Sequence, residues 1–260
     1  MKNSKRNLKR IAVLFVVITG LLGYSCSEKD DSDFNNPETQ AKLSAEAATA
    51  SNSAENNNER VIVAGFATSE FHVGTKDVEM KYAARADILA GINIGNISLK
   101  TNANAGLHTS STSRKKVTLI SNGQMRTSTV GEGSTPRGNY MEVTFRLFKN
   151  TEVSSSDPLY DKSLAITGEV EGKAAEIWFN SEKMIRAKAE SAQGVEVDGQ
   201  TEMVLVFDME KLFANVNFAT ATSATSTGKI EIGPNSTGAN ALLYSQIESN
   251  LESAVVLKKK

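Results

Sequence analysis

The sequence predicts a mainly β protein: an antiparallel, β-sandwich-like domain with a C-terminal amphipathic helix, preceded by a signal peptide and a disordered tether. Three observations predict it. After Val61, apolar and polar residues alternate in short runs separated by Gly, Asn and Ser turns. Near the end of the chain the apolar spacing lengthens to four residues, which is helical. The first sixty residues read as unstructured, a cationic, an apolar, an acidic and a polar stretch in succession. With 40% apolar but only 6% aromatic residues, the core must be built largely from Val, Ile, Leu and Met.

The leader comes first. Lys2, Lys5, Arg6, Lys9 and Arg10 precede an apolar segment over residues 11–22, the order of an export signal over residues 1–25. That segment is too short to span a bilayer, which takes roughly 20 residues. Cys26 is the only cysteine, so no disulfide can form within the chain. A free thiol at the end of an export leader is a liability unless it is modified. The run Leu21-Leu22-Gly23-Tyr24-Ser25-Cys26 resembles the lipobox of bacterial lipoproteins, departing from it at Gly23, where Leu is commoner. The resemblance implies acylation of Cys26, with each buried methylene adding about 0.8 kcal/mol of membrane affinity. The acid-rich run that follows contains Lys29-Asp30-Asp31 and is similar to the export tag of surface-exposed outer-membrane lipoproteins of the Bacteroidota type.

Residues 26–60 then read as an acidic, low-complexity tether rich in Asn, Ser, Ala and Glu, too poor in large apolar groups to offset its ordering entropy. A transient helix over 39–50 is the structural alternative. As a coil the segment reaches about 30 Å.

A single β-rich domain is expected over residues 61–260. Val78, Met80 and Tyr82 alternate with Asp77, Glu79 and Lys81, the pattern of a half-buried strand. Residues 92–99 alternate around a Gly-Asn interruption. Val117 and Leu119 lead into Asn122-Gly123, a hairpin signal because a two-residue type I′ turn needs positive φ at both positions. Met141, Val143, Phe145 and Leu147 share one face of the clearest amphipathic strand. Further strands are expected over 163–167, 174–179, 201–207 and 229–232, a short helix over 209–213, and a helix over 239–257 carrying Leu243, Ile247, Leu251 and Val255. The stretch Pro136-Arg137-Gly138-Asn139-Tyr140 resembles a Pro-x-Gly-x-Tyr turn of prealbumin-like β-sandwich domains of unknown function, which implies a fold and no reaction.

Motifs for catalysis are sparse. The two histidines, His72 and His108, lie in a predicted strand and in a polar segment. There is no HExxH, CxxC, EF-hand or P-loop pattern. Gly131-Glu132-Gly133 reads as a turn, because no helix follows a strand there to cradle phosphate. The acid pairs Glu169/Glu171 and Asp208/Glu210 read as strand-end and helix-start charges. Trp178 reads as core or core edge rather than as a sugar platform. Five of the 29 basic residues lie in the leader and none of the 30 acidic ones does, so the chain from Cys26 onward is acidic, about −6. Nucleic acid is therefore not an expected partner, and Lys258–Lys260 reads as a solvated chain end.

These readings point to a non-enzymatic, lipid-anchored lipoprotein on the outer membrane, without a cofactor besides its lipid, binding an envelope protein or an extracellular glycan or polypeptide. Two alternatives remain open. A haem- or small-ligand-binding surface lipoprotein would use His72 and His108 as axial ligands. A pilin-like subunit would be cut after Arg60, where VIVAGF begins, and assemble by strand exchange; this arrangement resembles that of pilins from the same kind of bacteria.

Overall fold

The computed structural model describes residues 38–50, 61–84, 99–101 and 114–260, and one compact unit, Asn36–Lys260, holds all of them. The leader, Cys26, Lys29, Asp30, Asp31, Arg60 and His108 lie outside the described residues. Among the described residues, no helix is long and apolar enough to cross a membrane.

The fold is mainly β, as expected, but its strands form one large mixed sheet. In chain order they are β1 (Glu38–Ala48), β2 (Ile62–Val63), β3 (Phe66–Ala84), β4 (Leu99–Thr101), β5 (Lys115–Ser121), β6 (Gln124–Met125), β7 (Ser128–Pro136) and β8 (Gly138–Leu147). There follow β9 (Leu164–Val170), β10 (Lys173–Phe179), β11 (Met184–Ala189), β12 (Val195–Val197), β13 (Thr201–Asp208), β14 (Ile230–Ile232) and β15 (Val255–Lys259). Helix α1 (Met209–Leu212) and helix α2 (Gly238–Asn250) lie between the last strands. The main path through the sheet is β14-β10-β9-β3-β8-β11-β15-β13-β1-β7.

An all-antiparallel sheet does not form, because β1 pairs parallel to β13, β10 to β14 and β11 to β15. In each pair a long stretch of chain separates the partners, which parallel pairing requires.

The long strand β3 organises the sheet. Its first half pairs with β9 and its second half with β8, on the same edge. The handover falls at Gly74, whose N–H donates to Ser163 O (2.9 Å) and whose carbonyl accepts from Phe148 N–H (2.9 Å). Any side chain at Gly74 would overlap the Phe148 carbonyl, so the crossing depends on glycine there. On the opposite edge β3 pairs with β5 and β4. The path from β3 through β8, β11, β15, β13 and β1 to β7 curls back towards β5. There the Ser128 hydroxyl accepts from Thr118 N–H (3.3 Å) and donates to Thr118 O (2.7 Å). Inside the curl, Phe207 of β13 meets Phe71 of β3 (5.8 Å between centroids) and Phe145 of β8 (6.3 Å).

Beyond Gly74 in the other direction, Phe66 packs on Phe213 and Phe218, 5.6 and 5.1 Å away. Helix α2 covers this wing with buried Leu243 and Ile247 and with Tyr244 against Phe179 (5.2 Å). Buried Asn240 stitches it down, donating to Thr222 O (2.8 Å) and Glu231 O (3.0 Å) and accepting from Thr222 N–H (2.9 Å).

Several expectations hold in detail. Asn122 and Gly123 take φ of 53° and 75° at the β5–β6 turn, and Val78, Met80 and Tyr82 are buried. Others need correction. The tether assigned to residues 26–60 contains β1, whose Ala41, Leu43, Ala45 and Ala47 are buried at period two. The helix expected over 239–257 stops at Asn250, and the β-branched Val255-Val256 pair opens β15 against β13, so the last element is a strand. Gly131-Glu132-Gly133 is no turn but part of β7, facing Leu43, Lys42 and Ala41. Met141 does not share the core face. A register shift at Lys81/Tyr82 turns it outward and seats Tyr140 inside instead.

Tyr140 accounts for the β7–β8 corner. Its hydroxyl donates to Pro136 O (2.7 Å), lies 2.7 Å from Thr135 Oγ1, and has its pKa pushed by burial up to about 12; the ring stacks on Tyr82 (5.4 Å). The same tying of a tyrosine hydroxyl to backbone a few residues upstream is the logic of tyrosine corners in β-sandwiches. Tyr140→Phe keeps the ring and removes both bonds, so it is expected to cost about 1–3 kcal/mol, read as a lower urea midpoint at unchanged slope. Coincident melts would show that the corner holds without the hydroxyl.

Candidate functional site

The first strand and its seat form the feature most unlike a plain structural sheet. Alternation places Ala41, Leu43, Ala45 and Ala47 on one face and Lys42, Ser44 and Glu46 on the other, where Ser44 and Glu46 are buried as well. Eight residue pairs join β1 to β13, from Ala41↔Thr201 to Ala48↔Asp208, and eight join it to β7, from Glu38↔Pro136 to Ala45↔Ser128. Neither neighbour is joined to β1 by a hairpin.

The polar side chains of the strand brace it on both flanks. Ser44 Oγ donates to Glu202 Oε1 (2.8 Å), and the ammonium groups of Lys42 and Lys260 lie 3.5 and 3.2 Å from the same oxygen. Partial burial would raise the Glu202 pKa, but the hydrogen bonds from Ser44 and Lys260 and the charges of Lys260 and Lys42 outweigh it and hold the carboxyl below its ordinary range. On the other flank Thr127 Oγ1 donates to Glu46 Oε2 (3.0 Å) and Ser134 Oγ to Glu38 Oε2 (2.5 Å). A cleft of about 800 Å³ opens over the first half of the strand, lined among others by Gln40, Lys42, Lys115, Glu132, Gln200 and Glu202. Its charges are of both signs, so it selects no simple ion.

A second cluster surrounds His72, which is 7% exposed on β3. Its Nδ1 lies 3.1 Å from Thr118 Oγ1 and its Nε2 3.3 Å from Glu70 Oε2. Burial first, then the Lys116 cation, lower its pKa against the opposing pull of Glu70 and Asp157. The neutral ring satisfies every group when Nε2–H faces Glu70 and the Thr118 hydroxyl donates to Nδ1. Hydroxyl, imidazole and carboxylate stand in a line, as in a nucleophilic triad. Two backbone N–H groups beside it are already engaged, Thr118 N–H with Ser128 and Asn122 N–H with Glu70 Oε1 (2.8 Å). The line clasps β3 to β5 beside the point where the sheet curls back. With both ring nitrogens engaged, an axial bond to haem iron would have to displace Thr118 or Glu70.

The remaining sequence candidates have structural partners. Trp178 lies half-buried on the outer side of β10, with Gly233 so close to its ring that a methyl there would overlap it, and with the Lys162 ammonium 5.6 Å from its centroid. The adjoining cleft of about 340 Å³ is lined by Thr222, Ser223, Glu231 and Asn240, among others. Asp208 is the N-cap of α1, accepting from the N–H of Glu210 and Lys211 (3.0 Å each). Glu169 stands in β9, and Glu171 takes φ 50° in the β9–β10 turn. Lys258 pairs with Glu190 (3.2 Å), so the lysine run is strand rather than a free solvated end. Among the described residues no group of three or more His, Cys, Asp or Glu is placed to hold a metal ion.

Sequence reasoning missed Ser44, Glu46, Thr127 and Glu202. The alternation of residues 41–47 was the available signal. No known protein family, curated protein or solved structure matches this chain.

The His72 cluster sets a pH dependence. Its folded pKa lies below the ordinary 6.5, so the unfolded chain binds the proton more readily. The contribution to stability is complete above pH 6.5 and is lost as pH falls through the lowered folded value. Denaturant midpoints measured from pH 7.5 to 5 are expected to fall for wild type and to fall less for His72→Gln. Parallel slopes would remove His72 from the clasp.

Proposed function

We propose that this chain is a lipid-anchored lipoprotein of the outer membrane, displayed on the cell surface, whose folded domain is a non-enzymatic binding module for an envelope protein or an extracellular glycan or polypeptide. The observation that carries the reading is the continuity from acylation motif to sheet. Cys26 follows an export leader, and by Glu38 the chain already belongs to a middle strand of the domain. Eleven residues, 27–37, separate Cys26 from β1, fewer than a tether running to residue 60 would supply. With an extended span of about 3.5 Å per residue, the domain is held within some 40 Å of the headgroups.

The acidic run beside Cys26 favours separation from anionic lipid, so the lipid itself supplies the attachment. Replacing Cys26 by Ala is expected to move the protein from the membrane pellet to the soluble fraction while leaving its melting curve unchanged. Retention in the pellet would sink the anchored reading.

A pilin-like subunit is the second reading, and one observation favours it. The segment that a cut after Arg60 would detach includes β1, which sits between two strands rather than at an edge. Its departure would leave a two-sided groove between β13 and β7 for a strand of another copy. Digestion with an arginine-specific protease should then give a ladder of oligomers on an unboiled gel. A nicked monomer that retains its first strand would count against strand exchange.

A further inference from the structure

We infer that β1 is a shear clasp: tension applied to the chain ahead of Glu38 is borne by both of its hydrogen-bond ladders together, so the domain resists pulling along the strand far better than pulling across it. The inference rests on the anchored reading only for the source of the tension; the clasp itself is a property of the sheet. Every residue of β1 is paired on at least one edge, 38–45 to β7 and 41–48 to β13, and the two ladders overlap over 41–45. A force drawing Glu38 out along the strand axis meets all these pairs in parallel. A force lifting one end sideways meets them one after another.

The side chains point the same way. Towards the core β1 offers three alanines and one leucine, so little interlocking opposes sliding and the ladders carry the resistance. Polar braces add to the ladders along the strand, with Glu38 held by Ser134, Lys42 and Ser44 held by Glu202, and Glu46 held by Thr127. Strand β13 runs parallel to β1 and passes at Asp208, the partner of Ala48, directly into α1. A force on α1 opposing one on the chain ahead of Glu38 therefore places the β1–β13 pair in pure shear. Strand β15 has the opposite sense. Lys259 pairs with Met203, itself the partner of Leu43, and Lys260 N–H donates to Glu202 O (3.0 Å), so this end of β15 lies across β13 from the middle of β1. Pulling there draws β1 and β15 apart across β13.

The test is single-molecule force spectroscopy on the full chain made without acylation, in which Cys26 is the sole native thiol. A second handle is placed at Glu210→Cys or at Lys259→Cys, both exposed positions, after thermal melts confirm that each variant keeps the wild-type transition. The Cys26–Glu210→Cys geometry is expected to need a several-fold higher rupture force than the Cys26–Lys259→Cys geometry. Equal forces in the two geometries would overturn the clasp, as would a first rupture along the strand that leaves β1 seated. Neither result bears on acylation, which the fractionation of Cys26→Ala decides separately.

Discussion

The two-sided pairing of β1 is the constraint on which the rest of the sheet depends. Among the described residues β7 is joined in register to β1 alone, and β7 leads back through β6 to β5. Without β1, β13 would present an open edge and the curl would lose the strand that carries it round. The force holding β1 is not mainly apolar. Burial of one leucine contributes roughly 1.5–3 kcal/mol and three alanines less, whereas the strand would otherwise leave two rows of backbone groups without partners inside a folded domain. Backbone satisfaction, aided by Ser44, Glu46 and Glu202, decides the register.

Two aromatic groups explain why the long β3 can serve both parts of the fold. Phe71 with Phe145 and Phe207 fills the curl, and Phe66 with Phe213 and Phe218 fills the wing under α2. Phe66 and Phe71 lie on one strand and belong to one buried cluster, so the two cores are continuous. Gly74 lets the Phe148 carbonyl approach closely enough for β3 to exchange β9 for β8 without losing a backbone bond. The bulge at Asp77, with φ 51°, follows at once and resets the strand against β8, where Arg146 lies 3.6 Å from the Asp77 carboxylate.

What the sequence made legible follows from these forces. Strands with β-branched or aromatic residues at period two, such as Val143, Phe145 and Leu147, are specified locally and could be read. So could the Asn122-Gly123 turn, because a positive φ is cheap there. Strand β1 could not be read from propensity, since alanine is a poor strand former and its stretch has the composition of a coil. Its strandedness is imposed by β13 and β7, which lie far off in the chain. The same holds for β7, whose glycines suggested a turn, and for β15, whose Val255 matched a helical spacing shared with Leu243, Ile247 and Leu251. Glu171-Gly172 makes a positive-φ turn like Asn122-Gly123, with a residue type that does not announce it. The braces of β1 were illegible for a further reason: Glu202 acquires its meaning only when Ser44, Lys42 and Lys260 converge on it.

The order of strands also bears on when the fold can close. Strand β13 lies between β1 and β15, so it is flanked by the earliest and the latest strands of the sheet, and Ala41 meets Thr201 across 160 residues of chain. Pairings of such separation form late, because the entropy of closing the loop must be met before the contacts stabilise anything. For a chain exported from its N-terminus, as proposed, the centre of the sheet cannot assemble until β13 and β15 have both crossed the membrane. The alanine-rich first strand would then wait in an extended, weakly structured form beside the anchor. Low β-propensity is an advantage in that interval, since a Val- and Ile-rich strand left unpaired would be an aggregation hazard. The composition that concealed β1 in the sequence thus agrees with its position in the fold: the strand holds its place by its neighbours, and before they arrive it has little tendency to pair with anything else.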